Sequence, residues 1–195
     1  MDIEKDGWCR EANRLMSPNQ NERPDGQEID LLVIHNISLP PGQFGSHWIA
    51  DLFLNRLDCD AHPFFDQLRS LKVSSHFFIR RDGSLFQFVS GDKRAWHAGV
   101  SSFAGRKGCN DFSIGIELEG TDFIPFEPAQ YDTLVSLTVA LCRRYPLKAI
   151  TGHQHIAPVR KTDPGPFFDW TRYKKMLAET DAFPPGNTFP DFWIE

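Results

Sequence analysis

The sequence has few cysteines, no long apolar run and no repeated or low-complexity segment. Its four cysteines, Cys9, Cys59, Cys109 and Cys142, are widely spread and include no CxxC pair, which argues against a disulfide framework or a thiolate zinc site. We therefore expect four free thiols. The start, MDIEKDGWCREANRLM, lacks the apolar core of a signal peptide, and no later run is long enough to span a bilayer. These absences predict a cytoplasmic protein without a membrane partner.

An excess of positive charge is also missing. The chain has 21 Lys and Arg against 26 Asp and Glu, which gives a formal net charge of −5 at pH 7. Nucleic-acid binding leaves a basic footprint, so nucleic acid is not expected as the main partner. With 195 residues, of which 41% are hydrophobic and 24% charged, the chain is typical of one globular domain with a sizeable core.

Strand and helix signals alternate along the chain. The run DLLVIHNIS (30–38) is apolar up to its polar end, which is typical of a buried strand that ends at a cleft. Residues 74–90 favour a hairpin around Asp82-Gly83, and residues 113–120 favour a strand. Helix-compatible spacing covers residues 7–16, 47–57, 62–70, 129–145 and 169–179. We predict a single domain of the α/β (α+β) class, with a central mixed sheet flanked by helices.

Polar residues near the predicted strand ends suggest a metal site. Catalytic zinc takes three protein ligands, usually histidine nitrogen or carboxylate oxygen, and keeps a fourth position open. His35, His153 and Asp163 could supply this set. The same three residues are also compatible with a surface histidine, a capping histidine and a turn-forming Asp-Pro. Their spacing alone does not separate the two interpretations.

The strand at 113–120 carries two further candidates. Alternation along SIGIELEG places Glu117 and Glu119 on one face and Ile116 and Leu118 on the other. Either carboxylate could act in proton transfer, and either could be a solvated strand residue. The pattern does not choose between Glu117 and Glu119.

Five segments occur in unbroken order along the chain: LLVIHNISLPPGQFG, VSSHFFIRRDGSLFQFV, RAWHAG, NDFSIGIELEGTD and TGHQHIAPVRKTDPGPFFDW. Together they resemble the AmpD family of cytoplasmic N-acetylmuramoyl-L-alanine amidases, and the similarity runs from about Gly7 to about Leu177. The chain more distantly resembles the phage amidase and peptidoglycan recognition fold, a mixed sheet flanked by helices with a zinc cleft. The resemblance implies a zinc amidase domain over residues 7–180, followed by a tail at 181–195.

The resemblance also implies roles for single residues. The zinc ligands fall on His35, His153 and Asp163, and not on His155. Proton transfer falls on Glu117, and a second catalytic role falls on Lys161, whose charge can face the oxyanion of the tetrahedral intermediate. Several recognition-protein relatives have a cysteine where this chain has Asp163, but a carboxylate is equally compatible with zinc.

Three further residues are candidate substrate contacts. Trp96 can stack on the substrate, Asn36 can hydrogen bond through its amide, and Lys72 can meet a stem-peptide carboxylate. Trp96 is equally compatible with packing in the core. For His76 and His97 we favour structural or substrate-wall roles over metal binding, because three ligands are already assigned.

The resemblance implies hydrolysis of the bond between the lactyl group of a muramoyl sugar and L-alanine. A 1,6-anhydromuramoyl peptide from cell-wall recycling is the expected substrate, and the protein is expected to be a monomer. Two alternatives are a muropeptide-binding module without catalysis and a zinc peptidase that cuts within the stem. The aromatic tail residues Phe189, Phe192 and Trp193 are expected to pack on the domain, although they could meet a partner.

Overall fold

The computed structural model describes residues 1–180. The tail at 181–195, and with it the expected packing of its aromatic residues, lies outside the described residues. The strands are β1 (Asn13–Arg14), β2 (Gln20–Asn21), β3 (Leu31–Ile37), β4 (Phe77–Ile79), β5 (Leu85–Gln87), β6 (Arg94–Ala95), β7 (Ser102–Phe103), β8 (Arg106–Lys107), β9 (Ser113–Glu119) and β10 (Ala149–Gly152). The α-helices are α1 (Trp48–Phe53), α2 (Pro128–Arg144), α3 (His153–Ile156) and α4 (Trp170–Ala178), with short 3-10 helices at Pro63–Leu68 and Cys109–Asp111.

A six-stranded mixed sheet forms the centre of the fold, in the order β1-β5-β4-β9-β3-β10. Strands β4, β9, β3 and β10 run parallel, while β5 pairs antiparallel with β4. The strand pairs β2-β6 and β7-β8 form two small separate sheets. The predicted fold class, a mixed sheet flanked by helices, is confirmed.

The two faces of the sheet carry different side chains. Leu32 and Ile34 of β3, with Ile116 of β9, pack in the cluster that also contains the buried face of α2 and part of α4. Leu31 and Val33 point to the opposite face and join a separate apolar cluster. Because side chains alternate along a strand, the next residue on this second face is His35. The strand is therefore apolar up to the point where the site begins.

Most of the predicted elements occur with small shifts of their ends. These are the strands at 30–38 and 113–120, the hairpin at 74–90 and the helices at 129–145 and 169–179. The helix predicted at 47–57 is shorter and ends at Phe53, and the segment predicted at 62–70 is a 3-10 helix. None of the helices within residues 1–180 has both the length and the apolar composition to cross a bilayer.

The helix predicted at 7–16 is wrong. Gly7 has a φ of +76°, which a right-handed helix does not allow. The backbone N–H of Leu15 donates to the carbonyl of Gln87 at 2.9 Å, and that of Ser17 donates to the carbonyl of Phe88 at 2.9 Å. The segment therefore adds an edge strand beside β5, and these tertiary hydrogen bonds outweigh a weak local helix preference.

Arg23 joins the N-terminal region to the segment that precedes β9. Its guanidinium donates to the carbonyls of Asn110, Asp111, Gly91 and Ser113 at 2.9–3.1 Å. Burial lowers the pKa of Arg23 to about 10, so the side chain keeps its charge at neutral pH. One side chain thus satisfies four backbone acceptors close to the site.

Replacing Arg23 by methionine should lower the free energy of unfolding by about 3 kcal/mol, because buried carbonyls lose their donors. Urea unfolding of the parent and the variant measures this difference. Arg10→Met is a matched control, since Arg10 makes only exposed ion pairs with Asp2 and Glu4 and should cost less than about 1 kcal/mol. Equal losses in the two variants would contradict the assigned role of Arg23.

Candidate active site

Three neighbouring parallel strands bring polar residues to one edge of the sheet. His35 of β3 lies directly opposite Glu117 of β9. On the other side of β3, Gly152 of β10 lies opposite Ile34, so the next residue, His153, comes level with His35. Both histidines are almost fully buried, with exposures of 1% and 2%. The register of the sheet therefore places His35, Glu117 and His153 in one row.

Asp163 reaches this row from the loop after α3. Its backbone carbonyl accepts a hydrogen bond from the Gln154 N–H at 2.8 Å. The next carbonyl, that of Pro164, accepts from the Asn36 amide at 3.0 Å. These two hydrogen bonds tie the loop to α3 and β3, and they hold the Asp163 carboxylate over the histidines.

Three ligand atoms converge at this point. His35 Nδ1, His153 Nδ1 and Asp163 Oδ2 form a triangle in which each pair of atoms is 3.0 Å apart. They are the one group of three or more metal-ligating side chains found within residues 1–180. Zinc binds imidazole nitrogen and carboxylate oxygen at about 2.0–2.2 Å, and a single ion can reach three atoms at this spacing. The donor set therefore fits zinc with a further position open.

The surroundings of His35 and Asp163 favour the forms of these two donors that bind a metal. Burial lowers the pKa of His35 to about 4, although Asp163 opposes the shift, so the imidazole is neutral at pH 7. Burial alone would raise the pKa of Asp163, but its contacts with His153 and His35 outweigh this and lower the pKa. Neutral imidazoles and an ionised carboxylate are the forms that metal binding requires.

Glu117 lies beside the triangle without a hydrogen-bond partner. Its Oε1 is 4.0 Å from His35 Nδ1, and its buried Oε2 has no partner within residues 1–180. Burial raises the pKa of Glu117 well above its usual value; the charge of Asp163 raises it further, and Lys161 acts in the opposite direction. An unpaired carboxylate with a raised pKa next to a metal site is suited to proton transfer.

Glu119 lies two residues further along β9 and has a different environment. Its Oε1 accepts from the Gly45 N–H at 2.6 Å, and its Oε2 accepts from the Arg81 N–H at 3.1 Å. Both carboxylate oxygens are therefore used to hold two loops. This difference in partners favours Glu117 over Glu119 for chemistry.

A cleft of about 570 Å³ opens above this site. Its lining includes the catalytic and substrate-contact candidates, namely Glu117, Lys161, Asn36, Trp96 and Lys72, together with His153 and Asp163. A second cavity of about 720 Å³ adjoins it and shares Asn36, Lys161 and Asp163 with the first. The two spaces therefore meet beside Asp163, one corner of the ligand triangle.

The three candidate substrate contacts differ in whether their polar groups already make hydrogen bonds within the protein. The Asn36 amide donates to Asp122 Oδ1 at 2.7 Å and to the Pro164 carbonyl. Its N–H groups are therefore already used within the protein. Trp96 is half-buried, and its Nε1 donates to Asn21 Oδ1 at 2.6 Å. Its ring borders the cleft and is available for stacking. Lys72 is exposed at the rim.

Sequence reasoning missed Arg160. Its guanidinium donates to the carbonyls of Ala98 and Val100 at 2.8 and 2.7 Å, and the side chain borders both cavities. Its position as a basic residue directly before Lys161 was the feature of the sequence that could have identified it. His97, for which a structural or substrate-wall role was expected, lies against a ligand candidate, because its Nδ1 is 2.9 Å from His35 Nε2.

His155 does not point to the site. Its Nδ1 accepts from the Gly152 N–H at 3.3 Å, and its ring borders another cavity with Gln154 and Trp170. His76 is buried, and its Nδ1 accepts from the Gly115 N–H at 3.0 Å. Neither ring belongs to the ligand triangle.

Comparison with known proteins agrees with this geometry. Residues 25–166 match the family model described as N-acetylmuramoyl-L-alanine amidase. The chain is 56% identical over 175 residues to the 1,6-anhydro-N-acetylmuramyl-L-alanine amidase AmpD of Citrobacter freundii, covering 89% of this chain and 94% of that one. The chain belongs to the AmpD family of N-acetylmuramoyl-L-alanine amidases.

Solved structures of the AmpD family and its relatives share the fold. The crystal structure of a selenomethionine AmpD derivative superposes with a TM-score of 0.89 at 55% identity, covering 91% of this chain and 99% of that chain. The Escherichia coli amidase AmiD, solved with anhydro-N-acetylmuramic acid-L-Ala-D-γ-Glu-L-Lys, has a TM-score of 0.58 at 30% identity. That match covers 80% of this chain and 60% of the AmiD chain.

In this AmpD-family chain, Glu119→Gln should lower the free energy of unfolding by about 1–3 kcal/mol, because the amide presents an N–H₂ group to one of two backbone donors. Thermal and urea unfolding measure the loss. Glu28→Gln is the control, since that carboxylate is exposed and pairs with Lys148 at the surface. A stability equal to that of the parent would show that Glu119 is free.

Proposed function

We propose that this amidase hydrolyses the bond between the lactyl group of 1,6-anhydro-N-acetylmuramic acid and L-alanine of the stem peptide, with zinc as its cofactor, in peptidoglycan recycling. One observation carries the proposal. A triangle of two buried histidines and the half-buried Asp163 lies beside the Glu117 carboxylate, whose Oε2 has no partner within residues 1–180, and two cavities meet at Asp163. The high identity to AmpD enzymes supports the choice of the anhydro sugar.

Zinc is supported by the chemistry of the donors. His35, His153 and Asp163 would hold the ion, and each contributes one atom to the triangle. Bound there, zinc would act as a Lewis acid that makes a nucleophilic water available near neutral pH. Catalytic zinc sites have three protein ligands and an open position, which is the arrangement that this set of residues provides.

Glu117 is the proposed general base and acid. Its carboxylate takes a proton from the attacking water and passes it to the leaving nitrogen of L-alanine. Burial and the charge of Asp163 raise its pKa, which brings the proton affinity of the carboxylate closer to the operating pH. Glu119 is a weaker candidate, because both of its carboxylate oxygens already accept hydrogen bonds from backbone N–H groups.

Lys161 is the proposed partner of the developing oxyanion. The side chain borders both cavities close to Asp163, and its charge acts on Glu117 and His35. A fixed donor that meets the oxyanion contributes about 3 kcal/mol to transition-state stabilisation.

The two adjoining cavities match a substrate with two bulky halves joined by an amide. The cleft that contains Trp96 has a wall of apolar side chains, including Leu39, Phe53 and Phe64, and offers a surface on which a sugar ring can stack. Lys72 at the rim and the Asn36 Oδ1 are the proposed polar contacts. AmiD, whose complex contains an anhydromuramoyl tripeptide, is the precedent for such a ligand on this fold.

Incubation with a defined 1,6-anhydromuramoyl tripeptide should yield free intact peptide and free anhydro sugar, because the amide between them lies over Glu117. Mass spectrometry of the products measures this. A shortened peptide attached to the sugar would indicate a peptidase. An unchanged substrate, despite measurable binding, would indicate a non-catalytic muropeptide-binding module.

His153→Ala should lose zinc and activity, whereas His155→Ala should keep both, because only His153 faces the triangle. Elemental analysis should find about one zinc per chain in the parent. The two histidines are close in sequence and share α3, so each variant controls for the other. Exchanged outcomes would place the ligand on His155.

Glu117→Gln should keep zinc and lower the single-turnover rate by about a hundred- to ten-thousand-fold, because only the proton acceptor is removed. Muropeptide affinity should change much less. Glu119→Gln is the matched control, and at a temperature where it is folded it should cleave near the parental rate. If Glu117→Gln cleaved at the parental rate, the proposed mechanism would be contradicted.

A further inference from the structure

Both imidazoles of the ligand triangle turn their second ring nitrogen toward the same dipeptide. His35 Nε2 lies 2.9 Å from His97 Nδ1, and His153 Nε2 lies 3.2 Å from the carbonyl oxygen of Ala98. The proposed zinc ligands therefore share one supporting segment, residues 97–98. That segment follows β6 and supplies no atom to the triangle.

A chain of hydrogen bonds fixes where the protons lie. The Ser113 hydroxyl donates its single proton to the Cys109 carbonyl at 2.6 Å. It can only accept at its contact of 3.2 Å with His97 Nε2, so His97 carries its proton on Nε2.

The next step follows from the same rule. With Nε2 protonated and the ring neutral, His97 Nδ1 is an acceptor, and His35 must donate to it from Nε2. His35 Nδ1 then has a free lone pair that points into the triangle. The hydrogen bond that Ser113 donates to Cys109 thus determines, through His97, which ring nitrogen of His35 carries the proton.

The tautomer of His153 is fixed in a simpler way. The Ala98 carbonyl accepts hydrogen bonds and cannot donate them, so His153 must present Nε2–H to it. This leaves the lone pair of His153 Nδ1 directed at the triangle, as in His35. Arg160 donates to the same carbonyl at 2.8 Å.

The supporting dipeptide is itself held in place. Asn110 Oδ1 accepts from the backbone N–H groups of His97 and Ala98 at 3.1 and 2.8 Å. Gly115 of β9 lies under the His97 ring, and a Cβ added there would be 2.5 Å from the ring. The missing side chain at position 115 lets the imidazole lie against β9 and meet Ser113.

We propose that His97 and Ser113 are positioning residues that hold His35 in its Nε2–H tautomer, and that the segment 97–98 presets both imidazoles for zinc. The inference rests on the proposed zinc site and extends it to residues that supply no atom to the ligand triangle. Outer partners of metal-ligating histidines affect metal affinity by about 10- to 100-fold.

Zinc affinity of four variants, measured by chelator competition, tests the relay. His97→Phe keeps a ring but has no acceptor and should weaken zinc binding by about 10- to 100-fold. His97→Asn places an amide oxygen near the position of Nδ1 and should recover most of the affinity. Ser113→Ala should weaken binding, whereas Ser75→Ala should not. Ser75 is the matched control because its buried hydroxyl also donates to one backbone carbonyl, that of Gly115 at 2.8 Å, but makes no hydrogen bond to an imidazole within residues 1–180.

A His97→Phe variant that binds zinc as tightly as the parent would overturn the inference. Equal losses of zinc affinity in His97→Phe and His97→Asn would also overturn it, and so would equal losses in Ser113→Ala and Ser75→Ala. If a variant fails to fold, ring ¹⁵N–¹H correlation of the zinc-loaded parent decides. It should find His97 protonated on Nε2 and not on Nδ1, and the opposite tautomer would overturn the relay. A folded parent that binds no zinc would contradict the proposed function, and the inference with it.

Discussion

The site depends on the register of three parallel strands. β9, β3 and β10 lie side by side, and their pairing sets Glu117, His35 and His153 level at one edge of the sheet. A shift of one residue in any strand would turn its functional side chain to the opposite face and into the α2-facing core. The apolar residues that precede His35 on β3 are buried, and their burial prevents such a shift. They therefore keep His35 in position at the site.

Burial of so many polar groups is costly unless each has a partner. Successive hydrogen bonds offset this cost. The imidazoles of the triangle contact residues 97–98, and Asn110 and Ser113 hold that segment. Arg23 in turn binds the carbonyls around Asn110 and Ser113. Arg23 Nε and Glu117 Oε2 are exceptions in this arrangement, since neither has a partner within residues 1–180, and Glu117 is the one of the two that lies beside the ligand triangle. An uncompensated group beside a metal site is what proton transfer needs.

The sequence predicted the strand that carries His35, since an apolar run with a polar end is a local pattern. It could not separate Glu117 from Glu119, because alternation puts both on one face. What distinguishes them is contact with the Gly45 and Arg81 N–H groups, which are distant along the chain. The helix expected at 7–16 was wrong for a similar reason, because edge pairing with β5 is a tertiary effect. The family resemblance selected the proposed ligand set, which spacing alone left open.

The central claim is that His35, His153 and Asp163 together hold one zinc ion while Glu117 stays outside its coordination. Anomalous diffraction at the zinc edge from crystals of the zinc-loaded protein tests this most directly. We expect one strong peak within about 2.0–2.2 Å of His35 Nδ1, His153 Nδ1 and Asp163 Oδ2, with no bond to Glu117. A peak bonded to Glu117, His97 or His155, or no peak at the triangle, would contradict it.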